Sequence, residues 1–396
     1  MDVLVISVGY GLFNPKSGGR NRFYNFAIQL VKKGENITVL QPSRYKESND
    51  SSLAKVHYFR ANFRNITFGT ITDLNIDFII QFTKIIQKQK VDIIQVSSPY
   101  GLISSKLVTK LLRKNIPVIY DAHNVESDLM KCVLNDPKAT FLEKIFALIY
   151  TPFQERIAVK CADYIMSVSW EDKLRFIEKY GISETKVKVI PSGVNIINLT
   201  DLKDKYKIMK EFGVNKDKLA IIFHGSYFHH PNREAIDQIK DHIAIEIMKV
   251  DDGILFVIAG FGVPVFEDKN IKSIGFVKDL YSLLHAADLA VVPIRGGGGT
   301  RLKILDYMGV GLPIVTTKKG IEGINAKNGE HAIIVDDVNG EFIDAIKYLI
   351  DNEQERKRIG ANARRLAEEE YGWNKIGAEL DKLYKGILEE KKRANK

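Results

Sequence analysis

One segment of the chain combines residue types that could hold an anionic ligand. Residues 293–316 read PIRGGGGTRLKILDYMGVGLPIVT, which predicts a buried strand, a turn of four glycines and a helix over 300–309, from Thr300, that carries Lys303 and Asp306. Glycine has no Cβ atom, so the turn can approach an anion closely while the first free N–H groups of the helix point toward it. Arg295 and Lys303 add positive charge, and the Asp306 carboxylate can accept hydrogen bonds from ribose hydroxyls. The pattern therefore predicts a site for a nucleotide diphosphate.

A plainer interpretation of the same segment is a flexible turn followed by a solvated ion pair. Lys303 and Asp306 are three residues apart, and such a pair stabilises a helix by only about 0.2–0.5 kcal/mol. Four consecutive glycines lose much backbone entropy when they are ordered, so they are a costly way to make an ordinary connection. This cost favours the anion site.

Two strand-to-helix turns in the first half of the chain carry candidate site residues. Gly18 and Gly19 come after the first strand and just before a helix, where they could admit a phosphate or an acceptor, or only make the turn tight. His123 and Asn124 follow the strand PVIYDAH, at the end where open α/β sheets bind ligands. Nearby carboxylates could orient the imidazole, raise its pKa or cap a helix: Asp121, Glu126 and Asp128.

The second half has two comparable turns. Gly225 and Ser226 follow the strand LAIIFHG, and the segment GFV, which contains Phe276 and Val277, could border a flat base. Phe276 could equally be a core aromatic residue. His229 and His230 are adjacent on a loop and have no third ligand at a diagnostic spacing, so no metal is expected there.

Strands and helices alternate almost throughout, which predicts α/β architecture with parallel sheets covered on both faces. A chain of 396 residues exceeds what one core usually supports, and the polar segment NIINLTDLKDKYKIMKEFGVNKDK separates two series of elements. We therefore expect two doubly wound, Rossmann-like domains that face a central cleft. The expected boundaries are an N-terminal domain over 1–196, a linker over 197–217, a C-terminal domain over 218–370, and a terminal helix over 371–396 that packs back toward the N-terminal domain.

Composition narrows the classes of partner. The net charge of +9 implies acidic partners such as anionic lipid headgroups, phosphorylated substrates or nucleic acid. No zinc finger or aromatic RNA-binding signature accompanies it, so we do not expect nucleic acid as a partner. The apolar runs are shorter than a membrane-spanning helix needs, and the opening MDVLVISV is typical of a first strand. Cys132 and Cys161 lack metal-ligand spacing, which indicates a reducing cytoplasm.

Taken in order, the motifs resemble a known family over nearly the whole chain. DAHNVES, IPSGVN, FHGSYFHHPNREAI, GFVKDL, the GGGGTRLKILDYMGVGLPIVTT block and a late YGW are similar to retaining glycosyltransferases of the GT-B fold, family 4. The resemblance implies transfer of a sugar from a nucleotide diphosphate to an acceptor hydroxyl, with the donor held mainly by the C-terminal domain. It also implies that no metal cofactor is needed, because positive side chains and helix N-termini stabilise the departing diphosphate.

The resemblance assigns roles to particular residues. Asp306 matches the second acidic position of the family's E-x7-E motif, and the first falls on Gly298, so half of that motif is absent. Ser226 and Asn232 stand about where many members have an Arg and a Lys for the diphosphate, which shifts charge neutralisation to other cations. The expected catalytic residues are His123, Arg295 and Lys303, with support from Arg301 or Arg233. The expected donor-binding residues are Gly18, Gly19, Gly225, Ser226, Phe276, Val277, Gly297, Gly298, Gly299, Thr300 and Asp306.

These implications give a hexosyltransferase that uses a UDP- or GDP-linked sugar in glycolipid, surface polysaccharide or glycoprotein glycan assembly. We expect a cytoplasmic protein on the inner membrane face, held by its basic N-terminal domain, with a lipid-linked or glycan acceptor. Two alternatives stay open. The chain could be a catalytically weak nucleotide-sugar-binding subunit, motivated by Gly298 and Ser226, or a sugar-nucleotide epimerase on the same fold. A dinucleotide-dependent dehydrogenase is excluded by the lack of an early G-x-G-x-x-G with its acidic partner.

Overall fold

The chain forms two compact units. A computed structural model describes residues 1–8, 11, 18–45, 53–60, 72–135, 139–213 and 218–394, although the side chains of 18–20, 132 and 135 are outside the description. Unit 1 comprises Met1–Ser192 and Trp373–Lys396, and unit 2 comprises Gly193–Gly372. No helix in these described ranges is both long enough and apolar enough to cross a bilayer.

Unit 1 is built on a parallel sheet with the strand order β3-β2-β1-β4-β5-β6-β7. The central strands are continuous Val- and Ile-rich runs whose residues are buried on both faces, as expected for parallel strands covered by helices. Leu4 in β1 lies opposite Thr38 in β2 on one side and Ile94 in β4 on the other. The strands are β1 Asp2–Ile6, β2 Asn36–Pro42, β3 Lys55–Phe59, β4 Ile93–Val96, β5 Val118–Asp121, β6 Tyr164–Ser167 and β7 Val187–Val189.

Helices cover both faces of this sheet. A five-residue π-helical turn, Phe146–Tyr150, joins two of the helices. The helices are α1 Gly18–Lys32, α2 Ile76–Lys88, α3 Leu102–Leu111, α4 Glu126–Leu129, α5 Lys131–Asn135, α6 Phe141–Ile145, α7 Thr151–Cys161 and α8 Trp170–Tyr180. Of these, α2, α3, α7 and α8 send buried apolar residues into the core.

Unit 2 repeats the architecture, with the strand order β10-β11-β9-β8-β12-β13-β14. All described pairings in this sheet are parallel except that of β10 with β11, which is antiparallel. The sequence predicted parallel strands and gave no sign of β10, a three-residue strand in a polar loop. The strands are β8 Leu219–His224, β9 Ile254–Ala259, β10 Phe266–Asp268, β11 Ile271–Gly275, β12 Leu289–Val292, β13 Ile314–Thr317 and β14 Ile333–Val335.

The helices of unit 2 include α9, which lies in the segment expected to be a linker. It packs against α12, and Lys205 at its start bonds Asp288, so this segment is part of unit 2. The helices are α9 Lys205–Glu211, α10 His230–Gln238, α11 Ala244–Met248, α12 Leu280–Ala286, α13 Leu302–Gly309, α14 Lys318–Ile321, α15 Gly340–Asp351 and α16 Glu353–Leu366, with π-helical turns at Ile239–Ile243 and Ala367–Tyr371.

The last helix, α17 (Trp373–Ala394), packs against α1 in unit 1. A buried network of hydrogen bonds holds α17 in this position. Tyr384 donates to Gln95 Oε1 over 2.7 Å, and Gln95 donates to Asp121 Oδ2 over 2.9 Å. Arg22 of α1 donates to Asp121 Oδ1 over 2.9 Å. The end of the chain is therefore tied to the central strands that carry the N-terminal candidate residues.

Candidate active site

The glycine loop after β12 is an ordered structure, because a buried arginine binds its carbonyl oxygens. Arg301 donates from Nη1 to the carbonyls of Gly298 and Gly299, and from Nη2 to that of Gly296 over 3.0 Å. Gly297 and Gly299 have φ values of 99° and 69°, which favour glycine. Helix α13 begins only after this loop, at Leu302 and not at Thr300. The flexible-turn interpretation therefore does not fit.

Lys303 is buried at the start of α13 with neutral neighbours. Its Nζ donates to Asn232 Oδ1 over 2.7 Å and lies 3.9 Å from the centre of the Phe223 ring. A Cβ atom on Gly225 would lie 2.8 Å from this Nζ, so the ammonium occupies the space beside the turn that follows β8. Burial lowers the pKa of Lys303 well below its usual value, and Arg301 adds to the effect. The site thus holds an amine whose protonated form an anionic ligand would stabilise.

Asp306 lies one turn further along α13 and keeps some contact with solvent, since its side chain is 22% exposed. Its Oδ1 accepts a hydrogen bond from the Tyr281 hydroxyl over 3.0 Å, and its Oδ2 lies 3.4 Å from His224 Nε2. Burial lowers the pKa of His224, although Asp306 opposes the shift. The Asp306 carboxylate is therefore oriented by contacts on both of its oxygens and remains accessible to a ligand.

Two buried polar atoms near this constellation lack partners among the described residues. They are His224 Nδ1 and Thr300 Oγ1. An unsatisfied buried polar atom costs about 1–3 kcal/mol, and binding sites are where such atoms are tolerated. Thr300 was expected to contact the donor, whereas His224 was not singled out from the sequence.

Glycines at the ends of three neighbouring strands bring the backbone close together. A Cβ atom on Gly260, after β9, would lie 1.9 Å from the carbonyl oxygen of Gly225, after β8. Gly260 also donates from its N–H to the carbonyl of Gly275 over 2.7 Å. Gly260 and Gly275 have φ values of 150° and 69°. Only glycine fits at Gly260, which fixes the position of the turn beside Lys303.

An exposed aromatic cluster follows the same strand ends. Phe276 is 68% exposed, so it is not a core aromatic, while Val277 next to it is buried. The Phe276 ring lies 6.4 Å from that of Phe261, which lies 5.7 Å from that of Phe228. Exposed rings of this kind present flat faces on which a base could stack.

The remaining cations of the region have other partners. Arg295 is exposed, donates from Nε to Asp337 over 2.7 Å, and bonds the Val338 carbonyl. Lys303 instead bonds Asn232, so the contacts of the described residues do not join these two expected catalytic residues. Arg233 donates to the carbonyl of Phe228 over 3.3 Å.

His229 adds no positive charge here. Burial lowers its pKa to about 4, and Arg301 and Lys303 push it in the same direction. No cluster of three His, Cys, Asp or Glu side chains suited to a metal occurs in the described ranges.

In unit 1, the candidate residues lie around the carboxyl end of β5. Helix α1 begins at Gly18, followed by Gly19, but residues 12–17 before it fall outside the described part. His123 is partly exposed, and its ring lies 5.5 Å from that of Phe23 in α1. Burial lowers the pKa of His123 to about 4, against the attraction of Asp121. Its imidazole is therefore neutral near pH 7.

A pair of carboxyl groups follows His123. Glu155 is fully buried and accepts hydrogen bonds from the backbone N–H groups of Glu126 and Ser127, over 2.8 and 2.9 Å. Burial and the charge of Glu155 raise the pKa of Glu126 to about 8. Glu126 is therefore largely protonated near pH 7, a feature that the sequence did not reveal.

Comparison with known proteins decides the family. Residues 16–197 match the family model described as Glycosyltransferase Family 4, and residues 218–352 match the model described as Glycosyl transferases group 1. The structure of Anabaena HepE in complex with UDP-glucose has the same fold, with a TM-score of 0.69 and 16% identity over 98% of this chain and 100% of that chain. The chain is a GT-B glycosyltransferase.

Sequence relatives of this glycosyltransferase match over part of their length. An uncharacterized glycosyltransferase from Methanocaldococcus jannaschii is 23% identical over 59% of this chain and 61% of its own. The UDP-Gal:alpha-D-GlcNAc-diphosphoundecaprenol alpha-1,3-galactosyltransferase of Escherichia coli is 24% identical over 67% of this chain and 66% of its own. Each match thus spans slightly less than two thirds of the relative.

Two departures of this glycosyltransferase from the family pattern have a structural counterpart. Asn232, which stands where many members have a cation, holds the ammonium of Lys303 through its amide oxygen. Gly298, which stands at the first acidic position, gives its carbonyl to Arg301. Both departures therefore involve contacts of Arg301 or Lys303, two of the cations that the sequence predicted for charge neutralisation.

Proposed function

We propose that this glycosyltransferase moves a hexose from a UDP- or GDP-sugar to an acceptor hydroxyl, with retention of anomeric configuration and without a metal ion. The observation that carries the proposal is the buried amino group of Lys303, which bonds the neutral Asn232 amide, lies beside the Gly225 turn and becomes favourably charged only when an anion reaches it. A buried cation is costly unless an opposite charge reaches it. A nucleotide diphosphate would supply that charge.

Each part of unit 2 has a role in holding the donor. The amides of the glycine loop, the N-terminus of α13 and Lys303 would bind the diphosphate, and these fixed donors would stabilise the negative charge that develops as the sugar leaves. Asp306 would accept hydrogen bonds from the ribose, since Tyr281 and His224 already orient it. Phe276 and Val277 would border the base. UDP is the first choice of nucleotide, because the Anabaena structure contains UDP-glucose and the E. coli relative is named for UDP-Gal.

In unit 1, His123 would contact the transferred sugar as a neutral hydrogen-bonding group, since burial lowers its pKa to about 4. The C–O bond to the leaving phosphate breaks, the acceptor oxygen bonds the anomeric carbon on the same face, and the acceptor proton goes to the departing phosphate. This sequence needs no paired carboxylates of the kind found in glycoside hydrolases. Arg301 and Lys303 take the place that a metal cation would otherwise have.

The acceptor would be a lipid-linked or growing glycan in glycolipid, surface polysaccharide or glycoprotein glycan assembly, on the cytoplasmic face of a membrane. The name of the E. coli relative supports this choice, because its acceptor is a sugar on diphosphoundecaprenol. The basic character of the chain, with a net charge of +9, is consistent with an anionic surface.

Transfer assays with paired variants test the assignment. Asp306→Ala and Lys303→Ala should each lower kcat/KM at least tenfold, about 1.4 kcal/mol of transition-state stabilisation, whereas Lys318→Ala, an exposed lysine paired with Asp336, should not. Equal kinetics in all three variants would refute the site. A chelator should leave the rate of the wild-type protein unchanged.

Three controls separate the alternatives. Donor alone should remain intact, whereas an epimerase would alter the sugar without acceptor. Donor binding with no transfer to any of a broad set of acceptors would indicate a binding subunit. NMR of the product should show the donor's anomeric configuration, and inversion would contradict the proposed mechanism.

A further inference from the structure

A run of large apolar side chains faces solvent along one continuous helical segment of unit 1. The segment consists of α6, the π-helical turn and α7, from Phe141 to Cys161. Six of its residues form what we call the outer stripe, and five of the six are between 61 and 78% exposed. Singly exposed apolar residues need no explanation, but a contiguous group does. The outer stripe comprises Phe141, Leu142, Ile145, Leu148, Ile149 and Phe153.

The opposite side of this segment is anchored by specific contacts. Tyr150 stacks on Tyr100 at 6.4 Å, and Thr151 Oγ1 lies 3.1 Å from the Tyr100 hydroxyl. Gln154 bonds Asp73, and Glu155 accepts the bonds of α4 already described. The inner side is thus fully engaged, so the outer stripe is not a core face waiting to turn inward.

The geometry of the segment is also fixed at its start and middle. Thr140 and Glu143 form a capping box, in which each side chain bonds the other residue's backbone N–H. Pro152 has no N–H to donate, and Thr151 N–H bonds the Phe146 carbonyl five residues back. The resulting π-helical turn shifts the helical phase, so that Phe153 stays exposed with Ile149.

Positively charged side chains follow the outer stripe along α7. Arg156 and Lys160 are exposed on the next two turns of α7. The adjacent helix α3, which packs against α7, exposes two leucines together with basic residues near its end. These exposed residues are Leu107, Lys110, Leu111, Arg113 and Lys114.

The net positive charge of the chain comes from unit 1. Unit 1 has 34 Lys and Arg residues against 22 Asp and Glu, a net charge of +12. Unit 2 has 24 against 27, a net charge of −3, and the two values give the +9 of the chain. An apolar stripe with cations along its border, on the only net-positive unit, matches a surface that has hydrocarbon beneath negative headgroups.

We propose that the outer stripe lies in the headgroup region of an anionic lipid bilayer, with Arg156 and Lys160 against the headgroups. A groove lined by Ile145, Phe146, Ile149, Tyr150 and Phe153 opens on this face and offers room for part of a hydrocarbon chain. A protein partner would need no such excess of positive charge over the whole unit. The inference rests on the proposed function only in that a lipid-linked acceptor would then be met at the surface where it resides.

Sedimentation with vesicles tests the proposal on the full-length protein. The wild-type chain should bind vesicles of phosphatidylcholine mixed with phosphatidylglycerol. Leu148→Ser/Ile149→Ser should lower the partition coefficient at least ~10-fold, because two apolar side chains that would enter the bilayer are lost. Val250→Ser/Val265→Ser, which removes two exposed valines of unit 2, should leave it unchanged. Arg156→Gln/Lys160→Gln should lower binding to the anionic vesicles about 30-fold at low salt, and should not affect the residual binding to phosphatidylcholine alone.

The outcomes that overturn the proposal are distinct. Wild-type protein that stays in the supernatant with both kinds of vesicle would exclude docking. Equal binding by the Leu148→Ser/Ile149→Ser variant would remove the outer stripe from the site. A wild-type dimer that this variant converts to a monomer, without vesicle binding, would make the face a protein interface. Turnover of donor with a water-soluble acceptor is measured in parallel. Absence of transfer in every protein would contradict the proposed function, whereas the vesicle-binding results bear only on the docking.

Discussion

Binding of a nucleoside diphosphate should be accompanied by uptake of a proton at Lys303. In the nucleotide-free protein, burial lowers the pKa of this lysine well below its usual value, Arg301 lowers it further, and Asp306 raises it only in part. A diphosphate placed beside Nζ reverses the balance, because it adds negative charge next to the ammonium. The pKa in the complex is therefore higher than in the free protein.

The sign and size of the effect follow from linkage. Between the two pKa values the complex holds a proton that the free protein lacks, so affinity falls as pH rises through that window. One site gives at most one proton, which corresponds to a tenfold change in affinity per pH unit, or about 1.36 kcal/mol. The second phosphate ionisation of a nucleotide lies near pH 6, so measurements above pH ~7 are free of its contribution.

Calorimetric titration with UDP in two buffers of different ionisation enthalpy measures the uptake directly. The matched variant is Lys303→Arg, which keeps the charge but cannot release its proton, so its uptake should be near zero. His224 and His229 also have lowered pKa values and remain in both proteins, so the difference between the two proteins isolates Lys303. Equal uptake by wild type and Lys303→Arg would refute the reasoning.

Three further outcomes are expected. Arg22→Met should lower the free energy of unfolding by about 3–5 kcal/mol in urea titration, because it leaves the fully buried Asp121 carboxylate unpaired, and adding Asp121→Leu should restore most of the loss. Gly260→Ala should weaken UDP binding in calorimetry at least ~10-fold, since the new Cβ would displace the Gly225 carbonyl, which lies 1.9 Å from its position. The pKa of Glu126 is raised to about 8 in the folded protein, so stability should fall as pH rises from about 4.5 to about 8, and urea midpoints of Glu126→Gln should lack this slope.

Much of the fold was predictable because its signals are local. Val- and Ile-rich runs such as those of β8 and β9 are buried at every position, and their alternation with amphipathic helices indicated parallel sheets. The strand β10 was missed because it has only three residues, two of them acidic, so its sequence shows no strand pattern. It is held by backbone pairing with β11. The start of α13 was placed two residues early, since the inward turn of Arg301 extends the loop.

The site was predictable only to the level of segments. Glycines, Lys303 and Asp306 were identified from the pattern around the turn, but their partners come from distant parts of the chain. Arg295 and Arg301 flank the same glycines and are equivalent in sequence. The structure distinguishes them, because Asp337, 42 residues away, binds Arg295 while the loop carbonyls bind Arg301. Tertiary contacts of this kind leave no local signal.

His224 and Gly260 were missed for a related reason. His224 stands at the end of β8 inside a segment whose two later histidines drew attention, and its contact with Asp306 depends on the pairing of β8 and β12. Gly260 is one of several glycines after β9. Its special role depends on the approach of Gly225, which belongs to another strand.

The charges around the proposed donor site explain why Lys303 is kept although its burial lowers the stability of the free protein. When Lys303 is protonated, two positive charges, those of Arg301 and Lys303, act on a site with one nearby carboxylate, Asp306, and this is one reason why the pKa of Lys303 is lowered without a ligand. Desolvation of an ammonium costs several kcal/mol, and the Asn232 amide and the Phe223 ring offset only part of it. An apolar side chain at this position would give a more stable free protein. The sequence has no acidic side chain at Gly298 to offset this charge, and under the proposed function the energy lost in the free state would be recovered when a diphosphate binds, which is the usual relation between stability and function in a binding site.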